Sequence, residues 1–169
     1  CGEGECRLFD LVDRGYPLPF ARIRNRRAFI YAGNAAAVVE SVLRRPAMPP
    51  GPYFVSDEED LSTAELVRRI ARALGRPARL LPIPSAHIRA AGRAGDLLAR
   101  VAPWPFRSAH AERLLDSLSL DVSRFRAAVD FVPPFSVDEG LVKTAAWYRT
   151  HVSATAVGTR ASVVNPASR

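Results

Sequence analysis

One stretch restricts what this chain can fold into more than any other. A run of cations, Arg24-Asn25-Arg26-Arg27, leads into Ala28-Phe29-Ile30-Tyr31, then Ala32-Gly33-Asn34, then Ala35 to Leu43. Aromatic and β-branched side chains predict a strand over Ala28 to Tyr31. Asn34 is placed to cap the helix that follows, because its side chain can accept from the first free backbone N–H groups. Val38, Val39, Val42 and Leu43 recur at helical spacing and predict an inward face. Arginines at the end of a buried strand sit on a rigid frame and face solvent or an anion. A planar guanidinium takes a phosphate bidentately, so Arg27 is a candidate anion ligand. The plainer alternative is that Arg24, Arg26 and Arg27 only solubilise a loop.

The same strand–helix grammar runs through the chain. A helix is expected over Glu5 to Arg14 with Leu8, Phe9, Leu11 and Val12 inward, closed by Gly15. Tyr16-Pro17-Leu18-Pro19-Phe20 should be extended, since both prolines disfavour helix. Pro46 stops the central helix, and Tyr53-Phe54-Val55-Ser56 is a second strand candidate. The acidic run Asp57-Glu58-Glu59-Asp60 reads as charge at a helix N-terminus rather than as a metal site. Ser62-x-x-Glu65 is a capping box. Leu66, Val67, Ile70, Ala71 and Leu74 form the next apolar face, ended by Gly75, while Arg68, Arg69, Arg72 and Arg76 lie opposite on an expected solvated face. A third extended piece spans Arg79 to Pro84. A helix then runs from Ser85 to about Ala102, broken by Pro103-Trp104-Pro105, and a short one covers about Ala109 to Asp116. Ser117 to Leu120 alternates like a brief strand. Asp121 should cap a helix to about Val129, and Ser136-x-x-Glu139 a last one to about Tyr148. Gly92-x-x-Gly95 falls inside a helix and is read as serving close packing.

With 169 residues the chain can form one ordinary domain, assigned to residues 1–150, with 151–169 as a disordered tail. No apolar run reaches membrane-spanning length. The first residues lack a signal core and an initiator Met, so the start reads as an interior point of a longer protein. Two cysteines, Cys1 and Cys6, make neither a disulfide framework nor a four-ligand metal site. A cytoplasmic location is the expectation. The net charge is +7, and every cation but Lys143 is Arg. That field favours an anionic ligand such as a nucleotide, or a polyanion.

Chemistry-bearing motifs are absent. There is no dinucleotide or phosphate-binding glycine loop, no Gly-x-Ser-x-Gly elbow and no Tyr followed four residues on by Lys. His87, His110 and His151 have no ligand spacing. No residue is assigned as nucleophile, general base or metal ligand.

Four segments in order nevertheless resemble the C-terminal part of an extended short-chain dehydrogenase/reductase of the NAD-dependent epimerase/dehydratase family, UDP-glucose 4-epimerase-like. They are Val12-Asp13-Arg14-Gly15-Tyr16-Pro17-Leu18-Pro19, Asn25 to Asn34, Asp121-Val122-Ser123-Arg124, and Phe135 to Leu141 running on to Trp147-Tyr148-Arg149. The resemblance implies an α/β fold: the last strands of a Rossmann-type parallel sheet with a small α-rich substrate-binding subdomain. It places Arg27 on the arginine that contacts the sugar-nucleotide diphosphate, and Pro17, Leu18, Pro19 and Phe20 on the loop bordering the base. Arg113 lies near, but out of register with, the family's second arginine. Ala28 and Asn34 stand where many members carry acids, and Glu5 near a pyrophosphate-binding Asn. The implied cofactor, NAD, would be bound mainly by an N-terminal half upstream of Cys1, which would also carry the catalytic Tyr and Lys. The implied partner is a nucleotide sugar, with neither membrane nor nucleic acid expected and a homodimeric parent among the expectations. Two alternatives stand beside this: a dehydratase or reductase fragment, and a non-catalytic module. The latter would bind nucleic acid through Arg68, Arg69, Arg72, Arg76 and the Arg22–Arg27 cluster, or keep the fold without chemistry. Against nucleic acid, the aromatics do not interleave with the cations.

Overall fold

The computed structural model describes residues 3–45, 48–57, 59–99 and 108–153. Seven α-helices follow in order: α1 (Glu3–Asp13), α2 (Ala32–Leu43), α3 (Thr63–Leu74), α4 (Ser85–Leu98), α5 (Ser108–Leu115), α6 (Ser123–Ala128) and α7 (Val137–Tyr148), the last continuing into a π-turn at Arg149–Ser153. The main core lies where α1, α3 and α7 meet. Phe9 and Val12 of α1 pack with Val67, Ile70, Ala71 and Leu74 of α3 and Ala145 and Tyr148 of α7, and Leu18, Phe20, Ile23, Ile88 and Ala111 close it. The alternation of apolar residues at three- and four-residue intervals produces this directly, since each helix has one face to bury. A smaller cluster of Val38, Phe125 and Val129, with Val42, Met48, Tyr53 and Val55 against it, holds α2 and α6 together.

The expected strands do not form ladders. Among the described residues there is no named strand, only isolated bridges joining Leu18 to Leu80, and Arg27 to both Leu61 and Leu118. Of the expected strands, Arg79–Pro84 and Ser117–Leu120 carry one bridge residue each, Leu80 and Leu118, while Ala28–Tyr31 and Tyr53–Ser56 carry none. The structure is helix-rich, and the expected last strands of a parallel sheet do not form among the described residues.

Helix boundaries differ where tertiary partners take over a side chain. Asn34 is not the cap of α2: the N-cap is Tyr31, whose carbonyl accepts from Ala35 N–H at 2.9 Å. Val39 and Leu43, expected inward, are exposed, and Val38 and Val42 do the packing. Ser62 accepts from Glu65 N–H at 3.1 Å, but the Glu65 carboxylate turns to Arg68 and Arg69, so the box closes on one side only. Pro84, not Ser85, precedes α4, and Val122, not Asp121, precedes α6; Asp121 accepts from Ser123 N–H instead. The Ser136–Glu139 box forms in both directions. Gly15 adopts φ 70°, the left-handed conformation that ends α1. Gly92 packs α4 on α5, where a Cβ would stand 2.9 Å from Ser108 Cα. The proline break at 103–105 and the segment from 154 onward lie outside the described residues; residues 151–153, counted with a disordered tail, belong to the π-turn.

Candidate functional site

Arg27 stands at a junction of three chain segments. Its N–H donates to Leu61 C=O and its C=O accepts from Leu61 N–H, both at 3.0 Å. The residues on either side bind a third segment: Ala28 N–H donates to Leu118 C=O at 2.8 Å, and Leu118 N–H to Arg26 C=O at 2.8 Å. Two residues earlier Asn25 is buried. Its amide donates to Thr63 Oγ1 at 2.9 Å and to Leu114 C=O at 3.1 Å, and its oxygen accepts from Thr63 N–H at 2.8 Å. The start of α3 and the end of α5 are thus tied to the extended segment, which fixes where the Arg27 side chain emerges.

The Arg27 guanidinium donates from Nη1 to the Arg113 carbonyl at 2.9 Å. Arg27 and Arg113, 86 positions apart in the chain, are therefore neighbours, and Arg113 is exposed on α5. Among the described residues no carboxylate pairs with either one. A half-buried guanidinium with a fixed backbone and no acid partner can accept an anion without first breaking an ion pair.

The loop Pro17 to Phe20 is arranged differently. Leu18 and Phe20 point into the core, Pro19 is half-buried and Pro17 is exposed. Leu18 is held by Arg79 C=O at 2.8 Å and in turn accepts from Leu81 N–H at 2.8 Å. What this loop presents to a ligand is the Pro17 ring and backbone. Among the described residues no hydrogen bond joins it to Arg27 or Arg113.

The cations of α3, read as a solvated stripe, are mostly neutralised. Arg69 is only 17% exposed and contacts Glu59, Glu65 and Asp138. Its hydrogen bonds to Glu59, more than any other cause, push its already high pKa further up. Arg68 pairs with Glu65, and Arg76 with Asp13 at 3.0 Å.

The acidic run also has other work than the dipole of α3. Asp57 accepts from Tyr31 N–H and from the Asn34 amide, each at 2.8 Å, so its carboxylate sits at the N-terminus of α2 instead. Asn34, fully buried, also donates to Phe135 C=O at 2.8 Å and accepts from Phe135 N–H at 3.0 Å. Asp60 accepts from Ser119 Oγ and faces Arg26 at 3.8 Å.

Beside this hub lies a cleft of about 440 Å³ between residues 29–32, α1, α3 and α7. Ile30, Tyr31, Leu66, Leu141 and Trp147 supply its apolar walls, and Asp57, Lys143 and Thr144 its polar ones. Nothing in the sequence reading marked it. The one available signal was Gly140: a Cβ there would stand 2.9 Å from Tyr31 Cγ, so the Tyr31 ring needs a glycine opposite it. Among the described residues no three potential metal ligands come together, and no helix is long and apolar enough to cross a membrane. The side chains of Glu5 and His110 lie outside the described set.

No protein-family model matches the chain. It is, however, 31% identical over 139 residues to a UDP-glucose 4-epimerase of Vibrio cholerae. The match covers 82% of this chain and 39% of that protein, in its C-terminal part. The resemblance read from the ordered motifs therefore holds: this chain is similar to the C-terminal part of a nucleotide-sugar epimerase. It spans well under half the length of that relative.

Proposed function

We propose that this chain is the substrate-binding part of an NAD-dependent nucleotide-sugar epimerase of the UDP-hexose 4-epimerase type. The observation that carries the reading is the Arg27 junction: a guanidinium beside Arg113, unpaired with any described carboxylate, on a backbone pinned to two other segments. Arg27 takes the diphosphate, Arg113 adds a second positive charge at its edge, and the Pro17–Phe20 loop borders the base. The role is positioning. Holding the diphosphate at a fixed point sets the sugar's orientation toward a reacting group, and orientation alone lowers a barrier by several kcal/mol.

NAD supplies hydride chemistry in epimerases of this kind. The residues described here do not fit it. The one glycine at the start of a helix near the site, Gly33, has its Cβ space filled by the Tyr31 ring at 2.5 Å. That leaves no room for a pyrophosphate to approach the N-terminus of α2, where the Asp57 carboxylate already sits. This chain's share is to bind and orient.

Titration of the chain with UDP tests the reading. Arg27→Ala should weaken binding by about 1–3 kcal/mol, the loss of a charge-assisted contact, and Arg113→Ala by less. Equal affinity of the Arg27→Ala variant and the parent would remove Arg27 from the site.

A further inference from the structure

The Arg27 guanidinium stands at an unfavourable place for an anion. Its Nη1 donates to the Arg113 carbonyl at 2.9 Å, and Arg113 lies in the last turn of α5, which ends at Leu115. The closing carbonyls of a helix have no helical N–H to accept from. Together they amount to about half a negative charge. A phosphate brought to Arg27 therefore arrives at the repelling end of α5. Arg27 alone would have to divide its donors between those carbonyls and the ligand.

Asn25 relieves that conflict. Its buried amide donates to Leu114 C=O at 3.1 Å and, more weakly, to Asp116 C=O at 3.4 Å. These carbonyls flank the end of α5, so Asn25 satisfies them from below while Arg27 is left with the Arg113 carbonyl. The other N–H groups of the guanidinium stay available for bidentate contact with a ligand.

The same side chain sets the distance between the two cations. Arg27 is bonded through its backbone to Leu61, and Asn25 through its side chain to Thr63 Oγ1 and N–H, so both hold one short length of chain at the start of α3. With its remaining bonds Asn25 holds the carbonyl next along the chain from Arg113. The far end of α5 is fixed independently, by Ser108 N–H donating to Asp96 at 3.2 Å and by the close approach of Gly92. Asn25 is thus the buried group that joins the segment carrying Arg27 to the turn carrying Arg113. Two cations at a fixed spacing can each take one phosphoryl group, which a single phosphate cannot exploit.

We propose that Asn25 is a positioning residue that makes this site selective for a nucleoside diphosphate over a nucleoside monophosphate. It touches no ligand and acts through the placement of Arg27 and Arg113. The proposal rests on the reading of Arg27 as the diphosphate ligand.

The test is titration of the full chain with UDP and, separately, with UMP. The parent should prefer UDP by about tenfold or more, a difference that one lost charge-assisted contact can make. Asn25→Ala should shrink the preference to within about threefold, mostly through UDP, because UMP needs only one cation. Asn34→Ala serves as the control, a buried Asn bonded to Asp57 and Phe135 instead; it should lower the urea midpoint yet keep the UDP-to-UMP ratio. Where Asn25→Ala does not fold, Thr63→Val removes only the hydroxyl that Asn25 holds and should narrow the ratio in the same direction, while Thr63→Ser restores it. A parent that binds UDP and UMP alike overturns the proposal. So does an unchanged ratio in Asn25→Ala, or in Thr63→Val where that variant is the one that folds, and so does an equal narrowing in Asn34→Ala. Arg27→Ala tells the two levels apart. If it weakens UDP binding while the ratio ignores Asn25 and Thr63, the site stands and the positioning role falls; if it leaves UDP binding unchanged, the substrate reading falls and takes the proposal with it.

Discussion

At the scale of single residues, the informative positions are those where a side chain is fixed by something distant in sequence. Tyr31 is one. Its ring lies edge-on to Phe135 with centroids 5.5 Å apart, and it fills the space opposite both Gly33 and Gly140. Gly140→Ala should raise the intrinsic preference of α7 for helix by about 0.8–1 kcal/mol. The new Cβ, however, would meet Tyr31 Cγ and Cβ at 2.9 and 3.0 Å, and the Cβ is fixed by the backbone and unable to swing aside. Overpacking of this kind costs about 1–3 kcal/mol, so the net effect is a loss, read as a lower urea midpoint. In a Tyr31→Gly background, which removes the Tyr31 Cβ as well as the ring, the clash is gone and the same substitution should stabilise. If Gly140→Ala is destabilising in both backgrounds, the ring is not what requires the glycine. Asn34 shows the other side of this. A Gly-Asn pair ahead of a helix reads as a cap, and nothing local says that Asp57 and Phe135 will claim its amide.

At the scale of elements, the helix ends explain how much of the architecture is local. The Ser136–Glu139 box forms because both partners lie in one turn, and it tethers the start of α7. The bond from Ser136 N–H to the Glu139 carboxylate, ahead of any other cause, holds Glu139 below the ordinary glutamate range. A group whose pKa is lower in the folded chain than in the unfolded one stabilises the fold above its unfolded value, and that contribution is lost as pH falls through the folded value. Stability should therefore decline on acidification through and below the usual glutamate range, and Glu139→Gln should flatten that part of the profile. A variant with the same acid limb as the parent would place the sensitivity on other carboxylates. The one-sided box at Ser62 gives the contrast. Glu65 is drawn away by Arg68 and Arg69, and Arg69 also reaches Asp138 of α7, so an expected local cap becomes part of a tie between helices.

At the scale of the whole molecule, the two apolar clusters differ in size and should differ in stability. The main one draws on α1, α3 and α7 and the segments that close it, whereas the other has Val38, Phe125 and Val129 as its buried members. Amides of α3 should accordingly exchange only through global opening, and those of α6 through a smaller, cheaper one. Native-state hydrogen exchange in low denaturant would show two separate isotherms. A single shared isotherm would mean that both clusters open together.

Helix positions were legible in the sequence because periodicity and caps act within a few residues: the α3 face, its Gly75 stop and the α7 box all follow from neighbours in the chain. The ordered motifs likewise pointed to the epimerase resemblance that the Vibrio cholerae match bears out. Strands were the weaker part. A β-prone run of four residues states that a segment will be extended, but its pairing depends on partners dozens of positions away, and among the described residues only isolated bridges form. The same reason kept the site half hidden. That Arg27 could take a phosphate was visible in its residue type. That Arg113 lies beside it, that Leu18 and Phe20 turn inward, and that Asp57 serves α2 rather than α3 were decided only when the chain closed on itself, because burial and hydrogen-bond satisfaction are settled by the whole fold and not by local spacing.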